Sequence, residues 1–484
     1  MLMGNYPNKP DDFCRHRFVT ARICMSPSLI AKYTIAGPRY TSYPTVPFWN
    51  TDNFCYHEWQ QRLITTFADT NARQGISLYI HLPYCDSLCT FCACHKHITR
   101  NHDVERSYID ALLTEWQLYI ELIAQQHGPE RPRIAELHLG GGTPSFFSPH
   151  ELRRLLTGLF RYADPTDQPD YGWEGHPNNT TPEHLQTLYN FGFRRVSFGV
   201  QDYDPVVQQA IHRVQPFANV RRVTEQARAI GYTSICHDLI FGLPRQTPGS
   251  VRHTIGQTLA LRPDRIAYYA YAHVPWLKGT GQRSFDESDL PSGIQKRLLY
   301  ETGRDQLERA GYTEIGMDHF ALAHDPLHQA MQAGTLHRNF MGYTTRQTTL
   351  LIGLGASAIG DTGAAFSQNI KEIATYLRIV QSGQLPLLRG HLLTAEDQFI
   401  RGQILNLMCR FRTSWKPTDW SEPTWDMLEP RLNELAADGL IDYDDTALWI
   451  RPAGRPFLRT ICMAIDPSMH QPCSSARPVF SQTV

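Results

Sequence analysis

From residue 77 onward one pattern recurs: a short β-branched or aromatic run, a loop, then a stretch with apolar residues every three to four positions. The runs predict strands at 77–82, 136–139, 171–174, 195–199, 235–241 and 266–271. Between them, helical periodicity covers 104–125 (Tyr108, Leu112, Trp116, Tyr119 and Ile123 on one face), 149–162, 182–189, 218–230 and 251–261. Strands alternating with amphipathic helices predict an α/β fold with a parallel sheet and right-handed crossovers. Six such units predict an open, partial (β/α)6 barrel with its site at the C-terminal ends of the strands. A doubly wound sheet is the alternative; the loop after the first strand favours the barrel.

The pattern divides the chain into a 1–75 extension, a 76–370 barrel, and a 371–484 domain that is mainly helical. In the extension, residues 1–32 have no clear periodicity. Gly37-Pro-Arg-Tyr-Thr-Ser-Tyr-Pro-Thr45 cannot form a regular helix, given its prolines and glycine. In the last domain a Thr-capped helix opens near Leu393. A helix at 425–437 then leads through a turn into a strand, with a hairpin partner at 448–451, a winged-helix-like arrangement. DNA binding through it needs a basic helix, yet Glu429, Glu434 and Asp438 face Arg431 alone. A helical cap packed against the open side of the barrel is expected instead.

Composition removes several classes. Lys plus Arg (46) nearly cancels Asp plus Glu (47), so no overall field favours nucleic acid or an anionic membrane. No apolar run nears the ~18 residues of a membrane span, and the N-terminus lacks a secretory apolar segment. Eleven cysteines, seven of them scattered, are a reduced, cytoplasmic pattern rather than a disulfide framework.

The other four cysteines lie together, in Tyr84-Cys-Asp-Ser-Leu-Cys-Thr-Phe-Cys-Ala-Cys94 directly after the first strand. Cys85, Cys89 and Cys92 are spaced C-x3-C-x2-C, and three thiolates so placed can wrap one compact centre. A [4Fe–4S] cluster on three cysteines keeps one iron open to a ligand. Zinc on these three plus Cys94, His95 or His97 is the rival, as is a chance cluster of structural thiols. Cys94 would have to double back to reach a fourth iron. It is therefore expected to point away from the other three sulfurs, towards substrate or a second bound ligand.

The predicted strand ends carry further polar residues. Gly140-Gly-Gly-Thr-Pro144 follows the second strand, Glu174 ends the third, and Gly199-Val-Gln-Asp202 ends the fourth with Arg213 soon after. Asp238 lies mid-strand among apolar neighbours, so it needs a ligand or an arginine. Each alone would more often be structural; their convergence on one rim points to a site.

The cysteine spacing after a strand resembles the radical S-adenosylmethionine (SAM) superfamily. The words Tyr79-Ile-His-Leu-Pro-Tyr-Cys85, Phe91-Cys-Ala-Cys94, Gly37–Thr45, Gly316-Met-Asp-His-Phe320 and Leu336–Thr345 are similar to those of the oxygen-independent coproporphyrinogen III dehydrogenase (HemN) family. The resemblance runs from about Gly37 to the end of the chain. It implies one [4Fe–4S] cluster on Cys85, Cys89 and Cys92. It further implies a cluster-bound SAM touching Tyr79, Gly141, Glu174 and Ile359. A second SAM would lie on Gly142, Thr143, Gln201, Arg213, Asp238 and Ala272. The second set is expected on the side of Gly142 away from Glu174. Cys94 and Tyr79 are the expected catalytic side chains, and Arg39 and Arg338 candidates for the substrate's carboxylates. Two departures stand out: Ala93 where the family commonly has glycine, and Gly175-His-Pro-Asn178 where it has x-D-P-R.

The implied activity is anaerobic oxidative decarboxylation of coproporphyrinogen III to protoporphyrinogen IX by a 5′-deoxyadenosyl radical. The protein is expected to be a cytoplasmic monomer without nucleic acid or membrane partners, its electron donor and acceptor unidentified. A haem chaperone that has lost the reaction is the rival, against which the Gly37–Thr45 word, Cys94 and the 337–345 word argue. A zinc-stabilised nucleic-acid regulator is the third class.

Overall fold

The computed structural model describes residues 26–277, 279–470 and 479–483; residues 1–25, Cys14, Cys24 and Cys473 lie outside them. Six parallel strands follow the predicted order: β1 (Ile76–Leu82), β2 (Arg133–Gly141), β3 (Asp164–Gly175), β4 (Arg195–Gln201), β5 (Ser234–Phe241) and β6 (Arg265–Ala270). Side chains alternate across them as the period of two requires. Leu78, Ile80, Leu137, Leu139, Trp173, Val196 and Phe198 face the helices and form the main core. The opposite face is polar. Ser77 donates to Glu136 at 2.8 Å, Arg195 to Asp170 at 2.5 Å and Ser197 to Asp238 at 2.7 Å. The connecting helices, among them Val104–His127 and Phe217–Ile230, supply the other half of the core. The N-terminal helix Tyr56–Gln74 joins it through Trp59, Leu63 and Phe67.

The sheet does not stop at six strands. Leu351–Leu354 pairs parallel with β1, and Ile359–Asp361, Ala365–Asn369 and Leu387–Leu392 add antiparallel beyond it. His319–Ala321 and Thr313–Ile315 extend the other end beyond β6. The sheet thus runs past residue 370, where the pattern placed the end of the barrel. β3 also starts seven residues before the predicted 171, because Asp164 and Pro165 pair with the start of β2 despite their polar, turn-like sequence.

The hairpin of His337–Asn339 and Gly342–Thr344 is tied to Glu136, whose carboxylate accepts from Asn339 at 3.1 Å and Thr344 at 2.7 Å. The C-terminal module then bridges the two ends of the open sheet. From its helix Ala395–Arg410, Arg401 pairs with Asp361 at one end, while Cys409 packs with Ile315 and Tyr343 at the other. Arg459 binds the carbonyls of Gly37 and Pro38, holding the Gly37–Thr45 word in place. The module's helix Glu422–Ala437 and a three-stranded antiparallel sheet make the expected wing. Lys32 covers the acidic end of that helix by pairing with Glu434 and Asp438. Among the described residues no helix is long and apolar enough to cross a membrane.

One buried network fixes the end of β1. Tyr108 donates to the His81 carbonyl (3.0 Å) and accepts from the Ala356 amide (2.9 Å). Glu115, fully buried, accepts from the Gly355 amide, Asn369 and Tyr376 at 2.8, 2.6 and 2.7 Å. Burial pushes its carboxyl up from 4.5 to about 7, against those hydrogen bonds. The folded chain therefore keeps a proton that the unfolded chain gives up, and its stability falls as pH rises from 4.5 to 7. That loss is on the order of 3 kcal/mol. Glu115→Gln is expected to flatten this part of the profile, read as denaturation midpoints across the interval. A variant with the wild-type slope would mean that another group titrates.

Candidate active site

Two chambers open at the C-terminal ends of the strands, one of about 380 Å³ and one of about 620 Å³. Cys85, Cys89 and Cys92 line the smaller, with Gly142, Thr143, Gln201, Arg213 and Asp238. Tyr79 and Ile359 line the larger, with His81, Phe340 and Lys371. Gly141, Glu174 and Cys94 are walls of both. The two residue sets read from the sequence therefore separate into two spaces, with three corrections.

Glu174 is not confined to the side away from Gln201. At the end of β3 it stands between β2 and β4, accepting from His138 Nε2 (3.3 Å) and the Gly141 amide (3.3 Å), and reaches both chambers. Cys94 does not point away from the other sulfurs. It shares the smaller chamber's wall with them, at a turn where Lys96 Nζ donates to the Cys92 and Cys94 carbonyls at 2.9 and 3.4 Å. Cys94 is nonetheless exposed to the chambers. Ala272 is in neither wall; it lies past the end of β6, and its carbonyl is taken by Gln282 at 3.0 Å.

The carboxylate candidates also change. Arg39 is spent on the Ala270 carbonyl (2.5 Å) and Asp318 (3.5 Å). Arg338 is 7% exposed, lying over the Tyr343 ring with its Nε towards the Tyr40 carbonyl. Neither lines a chamber. Sequence reasoning missed His138, which stacks on Tyr79 and bonds Glu174, and the cations Lys96 and Lys371. Period-two alternation with Glu136 was the available signal for His138.

Local backbone explains how several groups are aimed. Gly141 has φ +116°, and a Cβ there would sit 2.6 Å from the His81 ring, so the turn after β2 can press against β1 only as glycine. Gln201 holds φ +70°, a left-handed conformation that turns its side chain off the sheet into the smaller chamber. Asp202 beside it anchors that turn by accepting from Gln246 and Thr254 at 2.6 and 2.8 Å. Ala93 is not left-handed and lines the larger chamber, while His176 and Asn178 of the second departure line the smaller.

The electrostatics differ between chambers. Burial pushes Glu174 up, but its bonds with His138 and Gly141 outweigh this and leave it below the usual carboxylate range. Asp238 is pushed up to about 6 by burial, against hydrogen bonds from Ser197 and Cys236. Among the described residues it makes no ion pair, and it lines the same chamber as Gln201 and Arg213. Burial lowers His81 to about 4, so its ring is neutral; it contacts Tyr79 Oη at 3.1 Å.

These residues suit an iron–sulfur cluster. Thr143 Oγ lies 3.2 Å from Cys85 Sγ, and Arg213 Nη1 donates to Cys89 Sγ at 3.6 Å; burial pushes the Cys85 thiol up to about 11, with Thr143 acting against it. Among the described residues Arg213 Nε, in the same wall, is buried without an acceptor. Among the described residues no three Cys, His, Asp or Glu side chains, those of the loop included, are gathered as a metal site. Gly142, where a Cβ would lie 2.5 Å from the Pro83 backbone, brings the glycine turn against the cysteine loop.

A partial parallel barrel with three cysteines after its first strand and a glycine turn after its second defines a radical SAM protein, and the Radical SAM superfamily model matches residues 79–257. The chain is 39% identical to the oxygen-independent coproporphyrinogen III oxidase of Pseudomonas aeruginosa over 448 residues, 90% of this chain and 95% of that one. It is 37% identical to the Escherichia coli oxidase over 452 residues, 92% and 95% of the two chains. The solved structure of E. coli coproporphyrinogen III oxidase (HemN), described as a radical SAM enzyme, superposes with a TM-score of 0.81 at 35% identity, covering 91% of this chain and 98% of that one. The chain belongs to the oxygen-independent coproporphyrinogen III oxidase family of radical SAM enzymes.

Proposed function

We propose that the chain converts two propionates of coproporphyrinogen III to vinyl groups without oxygen, giving protoporphyrinogen IX in porphyrin and haem biosynthesis. The observation that carries this is end-to-end similarity to the coproporphyrinogen III oxidases, with the cysteine loop, glycine turn and Glu174 meeting at one pair of chambers. At each propionate a hydrogen atom leaves the β-carbon, CO2 and one electron follow, and a carbon–carbon double bond remains.

Cys85, Cys89 and Cys92 would hold the cluster. With SAM it supplies, when bound, the radical chemistry that no side chain provides. Glu174, kept ionised, accepts from an amino group or ribose hydroxyls. Tyr79, fixed between His81 and His138, and the buried Ile359 shape the wall of the larger chamber and exclude water. Two SAM sites are the finer reading. By the family resemblance, Tyr79, Gly141, Glu174 and Ile359 would serve the SAM on the cluster, Gly141 and Glu174 reaching the cysteines' chamber as walls of both, and Gly142, Thr143, Gln201, Arg213 and Asp238 would serve the other. Asp238, titrating near 6, can hold or release a proton within that second space. Cys94, open to both chambers, is the side chain best able to reach reacting atoms.

The test is anaerobic incubation of iron-loaded protein with coproporphyrinogen III, SAM and dithionite. Protoporphyrin after oxidation, with CO2 released, is the expected product. SAM cleavage with the propionates intact would overturn the assignment and favour the chaperone reading.

A further inference from the structure

Five cations stand in the chamber walls or were expected there, and their partners separate them; Arg338 lies over the Tyr343 ring. Lys96 is occupied by three carbonyls, those of Cys92, Cys94 and Gly279. Arg213 donates to the Gly199 carbonyl and Cys89. Arg39 is paired with Asp318 outside both walls. Lys371 differs. It is exposed, lines the larger chamber, and among the described residues its ammonium has neither a carboxylate nor a carbonyl partner. The nearby Arg389, which lowers the Lys371 pKa behind the larger effect of burial, is itself held by Gln368 Oε1 at 2.9 Å and over the Trp49 ring.

Its three N–H donors meet no protein acceptor among the described residues, so an anion entering the chamber finds a cation free to receive it. The same chamber presents Phe340, Ile359 and Leu277, apolar surface suited to the face of a flat ring system. We propose that Lys371 receives a ligand carboxylate in the larger chamber. This rests on the functional reading above, under which two ligands bring one: the tetrapyrrole with four, and SAM with a single methionine carboxylate. Lys371 thus takes the place expected for Arg39 and Arg338.

The test compares wild type, Lys371→Met, Lys371→Gln and Lys371→Arg as anaerobic iron-loaded protein. Coproporphyrin III, the oxidised substrate analogue with the same four carboxylates, is titrated by tryptophan quenching, and SAM by equilibrium dialysis. Charge removal is expected to weaken one ligand about tenfold or more, as losing a charge-assisted hydrogen bond does. Arginine should restore most of it, with iron content unchanged in every variant. Loss confined to coproporphyrin III assigns the tetrapyrrole; loss confined to SAM assigns the methionine carboxylate. Unchanged affinity for both overturns the proposal while leaving the function intact. Wild-type protein that binds SAM but neither binds coproporphyrin III nor converts coproporphyrinogen III overturns the functional reading itself. Should the methionine variant lose iron, the glutamine variant carries the comparison.

Discussion

Serine at Cys85, Cys89 or Cys92 is expected to leave protein that folds, lacks iron and sulfide, and neither cleaves SAM nor decarboxylates substrate. The reason is the loop itself. Its three thiols sit within eight residues on one chamber wall, with Thr143 against Cys85 and Arg213 against Cys89. Among the described residues no other cysteine lines that wall except Cys94. A hydroxyl is a far poorer ligand for iron than a thiolate, so one replacement removes a third of the ligands. Cys94→Ser is the internal contrast, expected to keep iron and SAM cleavage and to impair decarboxylation. Iron and sulfide analysis, with product analysis on the same samples, decides both. Full iron retention in a Cys89 variant, or iron loss in Cys94→Ser, would require a different ligand set.

The second large effect is on stability. Asp325 joins three elements at the N-terminal ends of the strands. It accepts from Arg265 Nε at the start of β6 (2.6 Å), Ser234 at the start of β5 (2.7 Å), and the Leu327 amide opening the helix Pro326–Gln332 (2.8 Å). Its side chain is 0% exposed and that of Arg265 8%. Arg265 Nη2 already lacks a partner, so removing the carboxylate strands a buried guanidinium. Asp325→Ala is expected to cost about 3–5 kcal/mol, read as a lower denaturation midpoint. Asp325→Asn, which keeps one acceptor, should lose less. Pairing Asp325→Leu with Arg265→Met should recover part of the loss, since the stranded charge goes too. A loss below about 1 kcal/mol for the alanine variant would mean that the pair is hydrated rather than sealed.

The sequence by itself determined the six core strands, the helices between them, the cysteine loop and the glycine turn. All of these are local: alternation along a strand, apolar periodicity along a helix and ligand spacing within one loop survive in one dimension. It did not determine the short outer strands at 351–369 and 387–392, whose burial comes from neighbours far along the chain. Nor did it show that Asp164 starts a strand, since only pairing with β2 overrides its polar neighbours. At the site, residue types were legible but directions were not. Which chamber a strand-end residue faces depends on twist and register between strands, so Glu174 reaches two spaces and Ala272 reaches neither. Availability of charge is likewise decided by partners brought from elsewhere. Asp318 and the Ala270 carbonyl take up Arg39, Tyr343 covers Arg338, and Lys371, unremarkable in the sequence, is left facing the larger chamber.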